Sequence, residues 1–479
     1  MMEMARSAMA GPLAAAAFAL AALAPALAGE APPWSERVLL APLDLADIAA
    51  TPMEERIARL KERGEELFTG KFIRADGAGR PLATQAIIPT KRRRPAHQDF
   101  QRLAGLDANA CASCHHEPVI GGAAPFTANA FVSEGFESAD FDTTDPQFSN
   151  ERGSPALHGA GLVELLAREM THELQAQRDR ALADARRSGT AQVAQLSSKG
   201  VSFGRITANP DGSLDISAIE GIDPDLVLRP FSQKGVFGSL RQFSVNALNS
   251  HHGIQAVERF GATWTGTPDF DGDEVADEIG AADISALVAF QATLPAPSRK
   301  TDLPPLWRDA ATRGEALFAD TGCAACHIPA LPLASTVFLD PGPVETAGTL
   351  RSDDVDAPLE IDLGALDFVR VLPRDGNGHV LVPLFGDLKR HRIADTREPA
   401  LGNELLGQRF VDRDVFITAE LWGVGSTAPY GHRADRTSLD EIIRAHAGEA
   451  RESREAYAAL PDDGREAVVA FLRSLEIQK

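Results

Sequence analysis

The residues best placed to do chemistry are four cysteines and the histidines that follow them. They form two pentapeptides, Cys111-Ala112-Ser113-Cys114-His115 and Cys323-Ala324-Ala325-Cys326-His327, and the 479-residue chain has no other cysteine. Two thiols at this spacing can add to the two vinyl groups of one haem, and the adjacent histidine then sits under the iron as its axial ligand. An even cysteine count in a secreted chain would otherwise suggest disulfides. Redox Cys-x-x-Cys motifs do not require the histidine, and zinc would need four ligands in one cluster. The pattern predicts two covalent haem c groups, one held by Cys111, Cys114 and His115, the other by Cys323, Cys326 and His327.

A second constellation is acidic. Asp269-Phe270-Asp271-Gly272-Asp273, with Asp277 and Glu278, is similar to an oxygen-rich calcium loop in which Asp269, Asp271, Asp273 and Asp277 would be ligands. Glu274 stands at the sixth position, where glycine is expected, and Gly280 at the twelfth, where a carboxylate is expected. A solvated acidic turn is the alternative. The run Lys91-Arg92-Arg93-Arg94 is either a partner for haem propionates or another protein, or exposed charge.

The elements that must position these groups occur twice. Arg63-Gly64-Glu65-Glu66-Leu67-Phe68 returns as Arg313-Gly314-Glu315-Ala316-Leu317-Phe318, each upstream of a cysteine motif. Downstream come related turns at 153–161 and 417–425, then closing helices at 286–290 (with Leu294) and 467–471 (with Leu475). Three matched elements in one order predict a mainly α fold of two cytochrome c-like domains in tandem. These would be residues 29–298 and 299–479, joined at the breaker-rich Pro295–Lys300. Helices are expected over Glu55–Phe68 and Pro304–Phe318, with a solvated outer helix over Leu162–Arg187. A small β-hairpin around Asn209-Pro210-Asp211-Gly212, within Val201–Ile216, would be an insertion in the first domain.

Residues 1–28 read as a signal peptide: Arg6, an apolar run from Met9 to Leu27, and an Ala26-Leu27-Ala28 cleavage site. The mature protein is therefore expected in the periplasm, with no membrane span. A net charge of −21 argues against nucleic acid and anionic membrane surfaces as partners. It fits either steering of a basic redox partner or solubility alone.

With these residues in place, the chain resembles the bacterial di-haem oxidoreductases of the di-haem cytochrome c peroxidase superfamily. The resemblance runs from about Asp107 to Leu475. It rests on the first cysteine motif with Gly121-Gly122 downstream, Arg152–Leu157, Phe290–Pro295, Gly322–Pro329 around the second motif, and Thr427-Ala428-Pro429-Tyr430. It implies two cytochrome c domains facing each other. One haem would take electrons from a small donor protein, a cytochrome c or a cupredoxin-like protein, and the other would bind a small-molecule oxidant. Peroxide reduction is the implied reaction. A di-haem oxygenase or substrate oxidase, and a non-enzymatic carrier with both irons six-coordinate, stay open on the same frame.

The resemblance also implies roles for single residues. A sixth iron ligand usually comes from His or Met, and past the leader the only methionines are Met53 and Met170. The family takes the sixth ligand of its electron-transfer haem from between the second motif and the Thr-Ala-Pro-Tyr turn, where His391 stands. The alternatives are a surface histidine in a basic run, with His432 in reserve. The first half has no counterpart of His391, which leaves the haem at His115 open on its far side. His251-His252 could face it. His251 falls where relatives carry an acidic residue that helps to cleave the O–O bond, so the pair is a catalytic base, a direct ligand or purely structural. His158, aligned with Trp422, is expected to pack near its haem, and His379 to face solvent. The inter-haem tryptophan of relatives falls on Gln233, and Trp264 or Trp307 could replace it only in space.

Overall fold

In the computed structural model, residues 34–79, 82–83, 92–93, 109–132, 149–344, 348–402 and 411–479 are described. The expected leader and the side chains of Lys91–Arg94 lie outside them. The helices that matter for the sites are α1 (Met53–Thr69), α2 (Ala160–Ser188), α3 (Leu240–Ala247), α4 (Ala281–Ala292), α5 (Pro305–Asp320), α6 (Leu439–Ala445) and α7 (Asp462–Arg473).

The repeated hexapeptides do the same job twice. Helix α1 crosses α4 at Gly64, where a Cβ would run into the Ala286 carbonyl. Helix α5 crosses α7 at Gly314, where a Cβ would meet the Ala467 carbonyl. Glycine lets the backbones touch at both crossings. One step along, Phe68 packs on Phe290 with centroids 5.1 Å apart, and Phe318 on Phe471 at 5.4 Å. Helix α4 is buried all round from Ala282 to Ala292, as its uniformly apolar sequence requires.

Helix α2 departs from the expected outer helix. Its first half carries Leu162, Leu166, Met170 and Leu174 through the core, and Ala181 and Ala185 in its second half pack on Ala208. Even a charged residue of its first half, Glu164, is fully buried, where it pairs with Arg168. The expected hairpin forms from β2 (Val201–Ala208) and β3 (Leu214–Asp215), and β1 (Gln192–Ser198) extends it to a three-stranded antiparallel sheet.

The fold is mixed, not mainly α. After the second motif, short apolar segments pair locally, Leu331–Leu333 with Val380–Val382 and Val337–Asp340 with Leu359–Asp362. Nor is the breaker-rich segment a free linker. Its strand β4 (Ser298–Arg299) pairs with the last strand of the chain. Further on, β5 (Arg390–Arg392) pairs with β6 (Val415–Ile417), and β7 (Leu475–Glu476) is the partner of β4. Residues Arg37–Lys479 make one compact unit. One core cluster joins Leu166 and Leu287 to Phe338, Leu384 and Trp422. Buried Arg241 ties the halves further, bonding Asp340 at 2.9 Å and Ser285 at 3.1 Å and pairing with Glu258. No helix among the described residues is long and apolar enough to cross a membrane.

Candidate haem sites

At the second motif, a single 3-10 turn over Cys323–Ala325 brings both thiols to one side. His327 donates from Nδ1 to the Phe385 carbonyl at 3.1 Å, and the Phe318 ring stands 6.3 Å away at 52°. This bond fixes the tautomer and turns Nε2 into a base available to a metal. A cavity of about 460 Å³ opens beside the motif, bounded by His327, Tyr430, Ile442, His446, Val468 and Leu472. That volume lies in the range of cofactor sites.

His446, just past the end of α6, has the same arrangement as His327. Its Nδ1 donates to the Ile442 carbonyl at 2.8 Å, while its ring lines the cavity. Burial pushes its pKa down. Burial, and then the charge of His446, lower His327 to about 4. Burial disfavours the charged form of both rings, as ligation requires. Sequence reading missed His446. The signal was there: the capping box Ser438/Glu441 starts a helix whose Ile442 and His446 share one face four residues apart.

His391 is placed differently from the expected ligand. Its Nε2 meets Asp387 Oδ2 and its Nδ1 meets Glu449 Oε2, both at 2.8 Å. Burial pulls its pKa down, but Asp387 and Cys326 outweigh burial and raise it to about 11. Both ring nitrogens of His391 thus face carboxylates, and the ring lines the same cavity as His327 and His446. His432 stacks on Phe416 at 4.3 Å and is pushed to about 3 by burial, then by Arg152, Lys234, Arg433 and Arg436. His379 holds Asp375 at 3.0 Å on a turn near solvent.

At the first motif the supports recur. Cys111–Ser113 forms the 3-10 turn, His115 Nδ1 donates to the Pro155 carbonyl at 2.9 Å, and Phe68 lies 6.3 Å away at 50°. Burial lowers His115 to about 4. The opposite side differs. Helix α3 runs into a π-helical turn, Leu248–His252, a deviation often found at functional sites. The turn sets both His251 and His252 in the wall of a gap of about 70 Å³ that His115, Cys111 and Cys114 also line. His252 is buried, with Nε2 3.8 Å from Cys111 Sγ, and His251 is partly exposed. His158 lies between the Pro295 and Ile120 carbonyls at 3.0 and 3.1 Å, a packing role.

The buried indole of the chain is Trp422. It lines the large cavity and covers Gly159, whose left-handed backbone (φ +82°) carries no Cβ to obstruct the ring. Trp264 and Trp307 are 63% and 58% exposed. Gln233 lines the cavity and donates to the Gly153 carbonyl at 2.9 Å. Glu420, also in the wall, has its carboxyl pushed up to about 7 by burial. Pairing His158 with Trp422 in the sequence had concealed the indole.

In the acidic loop, oxygens of Asp269, Asp271 and Asp273 lie within 4.8 Å of one another, without Asp277. Glu274 adopts φ +75°, the conformation that glycine usually supplies at that position. Burial, and then Asp271, raise Glu278 well above the usual carboxylate range.

The donor set at both motifs, paired thiols beside an imidazole oriented through Nδ1, fits covalent haem c. The chain matches no protein-family model and no curated protein. Among solved structures, it is similar to hydrazine synthase of Kuenenia stuttgartiensis, with a TM-score of 0.39 and 12% identity over 95% of this chain and 98% of that one. It is also similar to a MauG-like protein associated with microbial copper homeostasis, with a TM-score of 0.29 and 15% identity over 56% of this chain and 77% of that one.

Proposed function

We propose that this chain is an exported, periplasmic di-haem c-type oxidoreductase of two cytochrome c-like halves, which reduces peroxide with electrons from a small redox protein. The observation that carries this reading is the asymmetry opposite the two motif histidines. At the second motif an oriented, buried histidine, His446, lines the cavity with His327, and together they would hold a haem closed on both sides. At the first, two adjacent histidines, His251 and His252, come from a π-helical turn, and His252 Nε2 lies 3.8 Å from the Cys111 sulfur. When bound, the haems would supply one-electron redox chemistry at the second site and a seat for the oxidant at the first.

Hydrogen peroxide needs two electrons and two protons to become two waters. His251, the more accessible of the pair, is assigned to hold and pass a proton on its imidazole, since histidine exchanges protons near neutral pH. His252, turned toward the Cys111 sulfur, steadies the turn. The narrow first gap favours a second reading, in which His252 ligates and the chain only carries electrons. Turnover of hydrogen peroxide with a reduced small cytochrome separates the two. Steady oxidation of the donor is expected, and no turnover with two low-spin haems would favour the carrier.

Calcium at Asp269, Asp271 and Asp273 belongs to the same proposal. A cation there would let Glu278 ionise, and adding calcium to chelated protein should raise its unfolding midpoint. No shift would leave the loop a solvated turn.

A further inference from the structure

We propose that His391 is a positioning residue that clamps the segment holding His327 to the segment holding His446, and so tunes the potential of the second haem. The inference rests on the reading that His446 closes that haem. On one side, Phe385 supplies the carbonyl that orients His327, and Asp387 follows two residues later with its side chain only 3% exposed. The turn is tightly specified: Phe385 and Leu388 hold left-handed backbones (φ +54° and +57°), and Asp387 Oδ1 takes the Lys389 N–H at 2.9 Å. That leaves Oδ2 for His391.

On the other side, Glu449 lies three residues after His446. Its Oε1 takes the Arg392 N–H at 2.9 Å and its Oε2 takes His391. The Ala447 N–H donates to the Ile393 carbonyl at 2.9 Å. Gly448, left-handed at φ +55°, lies where a Cβ would strike the Arg392 carbonyl. The two segments are thus stitched along their backbones, and the His391 ring spans the remaining gap with two charge-assisted bonds.

The electrostatics give a sign. The Asp387 carboxylate is a buried negative charge two residues past the carbonyl that orients His327. Beside a haem, the same charge would favour the ferric state, and the His391 cation offsets it. Haem attachment turns Cys326 into a thioether, which leaves Asp387 as the principal buried partner of His391.

The test uses the full two-haem protein, with redox titration and spectra of the second haem. His391→Gln should keep that haem low-spin and lower its potential. Asp387→Asn should raise it, and the double variant should fall between the two. A high-spin second haem in His391→Gln would make His391 a ligand, and an unmoved potential in either single variant would remove the clamp. Should His391→Gln fail to accumulate, Asp387→Asn alone carries the test. His446→Ala is read separately: retention of the low-spin signal there would overturn the closure by His446, whatever the potentials of the other variants.

Discussion

At Cys111–His115 and at Cys323–His327 the chain uses the same three supports: a helix crossing closed at a glycine, a phenylalanine 6.3 Å from the histidine ring, and a backbone carbonyl that takes its Nδ1 proton. Across from the histidine the halves part company. The second half presents His446 at the end of a capped helix, with Nδ1 tied back to Ile442. The first presents two adjacent histidines on a π-helical turn, one of them against the Cys111 sulfur. The supports that place the attachment histidine lie in backbone geometry, which leaves few alternatives. The far side depends on single side chains, and there the two copies differ.

The largest expected effect separates the copies outright. Cys323→Ala with Cys326→Ala should halve the covalent haem of the protein, as should Cys111→Ala with Cys114→Ala. Haem content per chain after acid-acetone extraction decides it, and two haems retained in either variant would count against the assignment.

Next comes the far side. His251→Ala should lower peroxide turnover roughly 10²–10⁴-fold with both haems bound and the resting spectrum kept, the usual contribution of a placed acid-base group. His252→Ala should cost less. A change from low-spin to high-spin at the first haem in His251→Ala would make that residue a ligand, and unaltered turnover in both variants would make the pair structural.

The shared supports predict matched losses. Gly64→Ala and Gly314→Ala should each destabilise the protein by about 1–3 kcal/mol, the cost of overpacking a close crossing. Denaturant midpoints check this, and a loss confined to one half would break the equivalence of the two crossings.

The smallest effect concerns His432. Burial, then four neighbouring cations, hold its pKa at about 3 against an ordinary 6.5. The unfolded chain therefore binds a proton that the folded chain refuses between those values. The stabilising contribution is full above about pH 6.5 and is lost as pH falls toward 3. His432→Phe should flatten that part of the stability profile; an unchanged slope would assign the dependence to other groups.

Much of this frame was legible in the sequence because it depends on local spacing. Cysteines three apart need only one turn to converge, and Gly64/Gly314 with Phe68/Phe318 mark the repeated crossing. The hairpin announced itself through Asn209–Gly212. What escaped depends on distant partners. The sequence places His391 between two motifs but does not show its carboxylate partners, Asp387 and Glu449, and Glu449 reaches it only through folding. His446 and Trp422 gain their positions from packing, which periodicity does not report. The burial of the first half of α2 was hidden by the charged residues in its sequence, of which Glu164 is itself buried.

The central claim, a second haem closed by His446 and a first haem not closed in that way, is tested most directly by low-temperature electron paramagnetic resonance of the oxidised protein and its His446→Ala variant. One low-spin and one high-spin haem are expected in the native chain, and two high-spin haems in the variant. Two low-spin haems in the native chain, or a low-spin signal that survives in His446→Ala, would contradict it.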